Sequence, residues 1–371
     1  MNNNKGHYLI LETNEIFEGI GYGKPCNSYG ELVFNTATTG YQEVITDPSY
    51  KGQVIVFTYP HIGNVGVCSD DNESQKALTK AIITREIPSK PSNWSSEESL
   101  NEFLNKNNIS GICNIDTREL TKIIREKGNI FCLIVKNDLS KKEAYEQLLK
   151  YKKSQTQAKK YIPEKDNKTQ INQYSVTKGK LNIIILDLGY KASIVSVVKK
   201  YNHNITITNL NHNKNLNIQK YDAIIISNGP GDPNDYIEEI KFIKQLINSK
   251  IPILGICLGH QLLALALGGK IENLQYGHHG INHPVKQLDN NKVFITSQNH
   301  NYTVSKKYLP NYLDISHISL FDHTIQGFMH KKQIIYGFQG HPEGSPGPVD
   351  IQNSIFKKFF EEVCLKKLNQ Y

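Results

Sequence analysis

Three short, almost wholly apolar runs in the second half of the chain constrain its fold more than any other feature. They cover residues 181–186, 221–226 and 251–254, and stretches with helical periodicity, such as residues 236–248, lie between them. Strands that are apolar on both faces are typical of parallel sheets covered by helices on both sides. The second half is therefore predicted to fold as a doubly wound, mostly parallel α/β domain.

The first half shows a different order of elements. Strand-like runs at residues 8–11, 31–34 and 53–57 come first, and helical patterns follow at residues 97–105 and 117–127. Strands followed by helices within one region predict a smaller α+β domain.

The helix at residues 117–127 has the clearest pattern of the first half. Leu120, Ile123 and Ile124 share one apolar face, and Asp116 stands where an N-cap is expected. This pattern predicts an amphipathic helix that packs on a core.

A polar segment separates the two halves. A chain of 371 residues is long enough for about two domains. Residues 141–180 are rich in Lys and Gln and poor in periodic apolar positions, which favours a solvated linker. The predicted organisation is an N-terminal domain at residues 1–140, a linker region at 141–180 and an α/β domain at 181–371.

The composition excludes several classes of protein. Hydrophobic residues make up 38% of the chain, which is enough for a packed core. The formal net charge is +8, but the lysines are scattered or gathered in residues 141–168, so we expect no nucleic-acid partner. No run approaches the ~20 apolar residues of a membrane span. Six cysteines without a CxxC pair favour reduced thiols in a reducing compartment.

The most informative motif is the sequence GICLGHQ at residues 255–261. It follows the apolar run 251–254 and precedes a predicted helix at residues 261–267. A G-x-C-x-G turn between strand and helix is a nucleophile elbow, which exposes Cys257 and offers backbone N–H groups to an oxyanion. A small buried cysteine in a tight turn is the alternative, and the strand–elbow–helix setting disfavours it.

A thiol nucleophile needs a base and a group that orients the base. His341 and Glu343 follow a predicted strand at residues 333–338, with Pro342 between them. This spacing allows His341 to face the thiol while Glu343 holds its far nitrogen, so Cys257, His341 and Glu343 form a predicted catalytic triad.

A second loop supplies further backbone donors. The sequence SNGPGDP follows the apolar run 221–226, and Gly229 and Gly231 flank Pro230. Such a turn leaves N–H groups open toward a developing negative charge.

Together and in this order, these motifs resemble class I (triad-type) glutamine amidotransferases, which release ammonia from the glutamine side chain through a cysteine thioester. The resemblance implies that the N–H groups of Gly229 and Leu258 form the oxyanion hole. It also implies that Gln261 and Gly231 help to bind the glutamine.

The first half resembles the N-terminal domain of the small subunits of carbamoyl-phosphate synthases. The motifs that carry this resemblance lie at residues 33–43, 46–50, 58–66, 114–118, 277–280, 282–285 and 345–348. The family implies that Ser49 reaches the bound glutamine and that Asn299, Asn301 and Tyr302 hold its α-groups. Asn301 and Tyr302 stand where the family usually has Gly and Phe.

The resemblance further implies a heterodimer with a large subunit, which uses ATP and Mg²⁺ to make carbamoyl phosphate from bicarbonate and ammonia. The product would feed pyrimidine and arginine biosynthesis. We expect no cofactor or metal in this chain, because no phosphate-binding motif occurs and His278, His279 and His283 lack companion ligands. The heavy use of Lys, Asn, Ile and Tyr indicates an AT-rich genome, so the expected location is the plastid (chloroplast) stroma or the bacterial cytoplasm, without membrane attachment.

Three other functions are open to such a chain. A glutaminase subunit of anthranilate or guanylate synthesis would lack the motifs of residues 34–66. A non-catalytic regulatory subunit would not need the intact triad. An esterase or thioesterase would not need Gln261 and the loop at Asn299.

Overall fold

A computed structural model of the chain describes residues 6–157, 172–174, 180–209 and 217–369. The chain divides into two units. The first consists of Met1–Lys160 and Gln275–Gly280, and the second of Tyr161–Leu274 and Ile281–Tyr371. No described helix is long and apolar enough to cross a membrane.

The strands of the first unit close into a barrel. Its described elements are β1 (Gly6–Leu11), β2 (Ile16–Gly23), β3 (Ser28–Asn35), α1 (Tyr41–Thr46), β4 (Gln53–Phe57), β5 (Ala81–Ile83), α2 (Leu100–Lys106), β6 (Ser110–Cys113), α3 (Thr117–Lys127), β7 (Ile130–Lys136) and α4 (Lys141–Gln157). The order of the seven strands in this part of the chain is β1-β2-β6-β5-β4-β3-β7. Buried side chains of β1, β3, β4 and β7, among them Leu9, Leu32, Val54 and Ile134, fill the core.

Helix α3 has the bounds that its apolar face predicts. The Asp116 carboxylate accepts hydrogen bonds from the N–H groups of Arg118 and Glu119 at 3.0 Å, so it caps the helix. Leu120 and Ile124 are fully buried in the barrel core. The amphipathic pattern thus positions the helix against the sheet.

Helix α4 corrects part of the predicted linker. Residues 141–157 are helical, and Ala144 and Leu148 are buried against Ile10, Leu133 and Val135 of β1 and β7. The helix is mostly polar, and its buried residues Ala144 and Leu148 belong to one core cluster, so its periodicity is weak in the sequence. Residues 158–171 and 175–179 of the predicted linker lie outside the described residues.

The second unit is built on one large sheet. Its described elements are β8 (Asn172–Tyr174), β9 (Asn182–Asp187), α5 (Ala192–Lys200), β10 (Asn204–Asn209), β11 (Ala223–Ile226), α6 (Ile237–Asn248), β12 (Ile253–Ile256), α7 (Leu258–Ala266), β13 (Ile271–Gln287), β14 (Val293–Val304), β15 (Leu313–Ser319), β16 (Ile325–His330), β17 (Ile335–Phe338) and α8 (Lys358–Leu368). Residues 275–280 of β13 group with the first unit. Ten described strands pair in the order β14-β13-β15-β16-β17-β12-β11-β9-β10-β8.

The centre of this sheet is doubly wound. Strands β10, β9, β11, β12 and β17 are parallel neighbours, and antiparallel strands flank them. Strand β9 is buried on both faces, because Ile183 and Ile185 enter one core cluster while Ile184 and Leu186 enter the other. The predicted α/β class is confirmed.

The sheet topology places the sequence motifs together. Strands β11, β12 and β17 are adjacent and parallel, so their carboxyl ends meet at one edge. The SNGPGDP loop, the Cys257 elbow and the segment with His341 each follow one of these strands directly. Ligands of open α/β sheets bind at this edge.

Candidate active site

Cys257 occupies a strained turn between β12 and α7. Its backbone has φ 52° and ψ −107°, a conformation that side chains other than glycine rarely adopt, and it stands at the N-cap of α7. Its N–H donates to the Phe338 carbonyl at 2.9 Å, and its carbonyl accepts from the Gln261 N–H at 3.1 Å. These bonds hold the elbow, so the predicted nucleophile lies at the N-terminus of a helix.

Two glycines allow the close packing around Cys257. A Cβ on Gly259 would lie 2.2 Å from the Ile226 carbonyl oxygen, and one on Gly255 would lie 2.6 Å from the Gly259 carbonyl oxygen. Both neighbours are backbone atoms and cannot rotate away. The G-x-C-x-G spacing therefore reflects the contact between α7 and the sheet.

His341 and Glu343 form a buried pair. The His341 Nδ1 and Glu343 Oε1 atoms are 2.6 Å apart, and both side chains are almost fully buried. Apart from the side chain of Cys257, which interacts with His341, Nε2 of His341 has no partner among the described residues. The imidazole is thus oriented by Glu343 through one nitrogen and keeps the other for chemistry.

The electrostatics of the pair favour a protonated His341 beside an ionised Glu343. Burial by itself would lower the pKa of His341, but the nearby charges of Glu343 and Cys257 outweigh it and raise the pKa to about 10. Burial likewise opposes ionisation of Glu343, yet His341 and Lys191 hold the pKa of this carboxyl below its usual value. An imidazolium is therefore favoured at neutral pH.

Lys191 is a component of the site that the sequence did not indicate. Its Nζ lies 3.5 Å from Glu343 Oε1 and donates to the carbonyls of Gly344 and Ser345 at 2.7 and 2.6 Å. The residue is 1% exposed, and its backbone N–H donates to Asn228 Oδ1 at 3.1 Å. Lys191 therefore ties the start of α5 to both the triad and the SNGPGDP loop. Its only sequence signal is a position one residue before a helix that follows a parallel strand.

The structure brings the two predicted oxyanion donors together. A Cβ on Gly229 would lie 2.9 Å from a side-chain methyl of Leu258 and 2.3 Å from the Leu188 carbonyl, so Gly229 packs directly on the elbow. Within the described residues, the N–H groups of Gly229 and Leu258 have no hydrogen-bond acceptor. Gly231 of the same loop adopts φ 91°, which suits glycine.

Among the predicted glutamine-binding residues of the second unit, Asn299 and Gln261 contact the elbow directly. The Cys257 thiol lies 3.6 Å from the Asn299 carbonyl oxygen. Gln261 donates from Nε2 to the Tyr302 carbonyl at 2.8 Å and to Gln339 Oε1 at 3.1 Å. Asn301 is buried within β14 and does not have a positive φ, so no left-handed turn is needed there.

Ser49 belongs to the first unit. It lies in a short turn, where its N–H donates to Asp47 Oδ1 at 2.8 Å. Its role toward glutamine stays a prediction. No group of three or more His, Cys, Asp or Glu side chains within the described residues is arranged to hold a metal ion.

The fold of the second unit and its Cys–His–Glu site define a class I glutamine amidotransferase. Residues 184–363 match the family model described as glutamine amidotransferase class-I, and residues 9–134 match the model described as carbamoyl-phosphate synthase small chain, CPSase domain. The chain belongs to the carbamoyl-phosphate synthase small-chain family.

Three relatives illustrate the extent of this similarity, and each bears the name carbamoyl phosphate synthase small chain. The protein of Oceanobacillus iheyensis is 42% identical over 99% of this chain and 98% of its own length. That of Buchnera aphidicola subsp. Baizongia pistaciae is 43% identical over 95% and 92%, and that of Pectobacterium atrosepticum is 42% identical over 96% and 97%. These organisms are bacteria, so the expectation of a plastid protein receives no support.

Proposed function

We propose that this chain hydrolyses glutamine through a Cys257 thioester and passes the ammonia to a separate large subunit that makes carbamoyl phosphate. The observation that carries the proposal is the buried Glu343–His341 pair, whose second imidazole nitrogen accompanies a cysteine held in an elbow. The rival functions fit this geometry less well, because a regulatory subunit needs no charged buried triad and an ester hydrolase needs no amide-binding loop.

In the first step, the Cys257 sulfur attacks the side-chain carboxamide carbon of glutamine, and the carbonyl oxygen becomes an oxyanion. The N–H groups of Gly229 and Leu258 are its proposed donors, and loss of one such donor typically costs ~10²–10³ in rate. In the second step, the C–N bond breaks while His341 gives its proton to the leaving nitrogen. The raised pKa of His341 favours this role, because the imidazole holds a proton at neutral pH.

Water completes the cycle. His341, now neutral, accepts a proton from the water that attacks the thioester carbonyl carbon. The C–S bond breaks, glutamate leaves, and the Cys257 thiolate is restored beside the protonated His341. Glu343 stays ionised throughout and keeps the imidazole in place, because Lys191 and His341 both stabilise its negative charge.

The test is ammonia release from glutamine by the purified chain, with and without its large subunit, ATP and bicarbonate. We expect weak activity that rises with the partner and is lost in Cys257→Ser. Cys364→Ser is the matched control, because Cys364 is only partly buried and lies in α8. Glutamine turnover retained by Cys257→Ser would overturn the thioester mechanism, and activity that ignores the partner would overturn the coupling.

The family resemblance supports the remaining parts of the proposal. The first unit serves mainly to dock the large subunit, which supplies ATP and Mg²⁺ chemistry, and the product feeds pyrimidine and arginine biosynthesis. The bacterial relatives support a bacterial cytoplasmic location. Failure of residues 1–157 to bind or compete for the large subunit would contradict the docking role.

A further inference from the structure

A cavity of about 380 Å³ lies in the second unit, next to β17, the strand that leads to His341. Strands β15, β16 and β17, the end of β13 with the two residues after it, and the short π-helix Asn353–Lys357 with Lys358 form its walls. Its volume falls within the range of small-molecule sites in proteins. None of the predicted glutamine-binding or triad residues lines it.

A β-bulge shapes the polar side of the cavity. The pairing of β15 with β16 shifts register between Ile315 and His317, so Ser316 is the extra residue. As a result, the adjacent side chains of Ser316 and His317 both line the cavity, with Ser316 Oγ 2.9 Å from His317 Nδ1. A Cβ on Gly327 of β16 would lie 2.7 Å from that hydroxyl and 2.9 Å from that nitrogen, so the glycine makes room for them.

His317 has a buried ring nitrogen without a hydrogen-bond partner within the described residues. The residue is 4% exposed, and the nitrogen is Nε2. Burial lowers the pKa of this imidazole to about 4, so the ring is neutral at neutral pH. A buried ring nitrogen without a partner costs free energy in the folded protein, and a ligand that supplies the partner would recover it.

Aromatic rings form much of the remaining wall. The His317 ring meets the Phe338 ring edge to face, with centroids 5.4 Å apart. Phe328, Met329 and Tyr336 line the cavity as well. Three charged residues also line the cavity: the exposed Asp289 and Asp314, and Lys358, whose Nζ lies 3.8 Å from the Met329 sulfur. Such walls suit an aromatic ring rather than a chain or a compact ion.

We propose that this cavity binds a small, flat, neutral heteroaromatic molecule, whose ring nitrogen or N–H group hydrogen-bonds to Nε2 of His317. The ring lies against the aromatic walls, and its heteroatom edge faces the bulge at Ser316. Because Phe338 accepts the backbone hydrogen bond of Cys257, an occupant of the cavity would touch the residue that holds the elbow.

The experiment uses the full chain with ¹³Cε1-labelled histidine and benzimidazole as the probe. Benzimidazole carries both a donor and an acceptor nitrogen, so it serves either tautomer of His317. We expect the His317 signal, identified by its loss in His317→Phe, to shift and saturate, while the signal of exposed His323 stays in place. Indene has the same bicyclic shape without nitrogen and should bind about 3- to 10-fold more weakly, the effect of one ordinary hydrogen bond.

Two variants test the hydrogen bond to His317 and the location of the binding site. His317→Phe keeps an aromatic ring beside Phe338 and should lower benzimidazole affinity to that of indene. Met329→Trp fills the cavity from a half-buried position and should abolish binding of both molecules. A His317 signal that does not move, equal affinities for the two probes, or unchanged binding by Met329→Trp would each overturn the proposal. None of these readouts depends on glutamine hydrolysis, so the proposal stands or falls separately from the catalytic function.

Discussion

At the scale of single residues, the buried charge of Lys191 has the largest expected effect on stability. Lys191→Met removes the ammonium group that faces the Glu343 carboxylate at 3.5 Å and that donates to two backbone carbonyls. Loss of one partner from a buried ion pair costs about 3–5 kcal/mol, because the other charge stays buried. Urea unfolding should show a loss of this size.

Lys200→Met is the matched control, because Lys200 is exposed in the same helix. Surface substitutions of this kind change stability by at most ~0.5 kcal/mol. Equal effects of the two substitutions would show that Lys191 contributes nothing as a charge.

The raised pKa of His341 predicts a specific pH dependence of stability. A group whose pKa is higher in the folded state stabilises that state fully below its unfolded pKa of about 6.5. This stabilisation is lost as the pH rises through the folded value of about 10. In Glu343→Gln the largest charge that raises the pKa of His341 is gone, and burial then lowers it. The decline in the free energy of unfolding from pH 7 to 9.5 should therefore be smaller than in the wild type.

The comparison uses urea unfolding at several pH values in both proteins. Lysines and tyrosines away from the site titrate alike in both proteins, so the difference between the two slopes reports the buried groups that face residue 343, which are His341 and Lys191. Identical slopes would show that Glu343 does not set the protonation of His341.

Residue patterns predicted the triad residues but not Lys191, which contacts Glu343. Because parallel strands end at a common edge, the position of Cys257, His341 and Glu343 after predicted strands was enough to place these residues at one edge of the sheet, and their catalytic roles stay predictions. The burial of Lys191 was not predictable from the sequence, because lysine side chains are almost always exposed and no local sequence pattern marks a buried one. The bulge at Ser316 was equally hidden, because it depends on the pairing of two strands.

At the scale of secondary structure elements, the contact between α7 and β11 is the most sensitive. In Gly259→Ala the new methyl group would lie 2.2 Å from the Ile226 carbonyl oxygen, so the helix has to move away from the sheet. Overpacking of this kind costs about 1–3 kcal/mol. Because Cys257 is the N-cap of the same helix, glutamine hydrolysis should fall together with the melting temperature.

Gly269→Ala provides the control for a glycine near the same helix. Its Cβ would meet no atom closer than 3.1 Å, so a small shift accommodates it. We expect a smaller loss of stability and nearly normal activity, measured by thermal unfolding and ammonia release. A milder effect for Gly259→Ala than for Gly269→Ala would contradict the close-packing argument.

Elements were predicted more reliably than their arrangement. Periodicity located α3 at its observed bounds and placed the three apolar strands within two or three residues. It did not reveal that the first-unit strands close into a barrel, because closure depends on pairing between strands far apart in sequence. It also missed α4, whose few apolar contacts leave a weak pattern.

At the scale of the whole molecule, the first unit includes a piece of the second half of the chain. Thr36 donates its N–H to the His279 carbonyl at 3.2 Å, and the rings of Phe34 and Tyr276 are 6.3 Å apart. In a fragment of residues 1–157, the Thr36 amide should exchange its hydrogen much faster than in the full chain. The amide of Ile55, in the central strand β4, should stay protected in both.

Hydrogen exchange followed by NMR gives both rates in one experiment. Rapid exchange at Ile55 in the fragment would mean that the barrel needs residues 275–280 in order to fold. Unchanged protection of Thr36 would mean that its hydrogen bond to His279 has no protective effect.

Because residues 275–280 belong to the first unit, part of that unit is synthesised much later than the rest. A ribosome adds about 5–20 residues per second, and more than a hundred residues separate the end of α4 from Gln275. The barrel strands are therefore synthesised roughly 5–25 s before residues 275–280, which belong to the same unit. During that interval the newly made N-terminal half exposes the surface that residues 275–280 later cover. Chaperones that bind nascent chains would find their target there before the catalytic half exists.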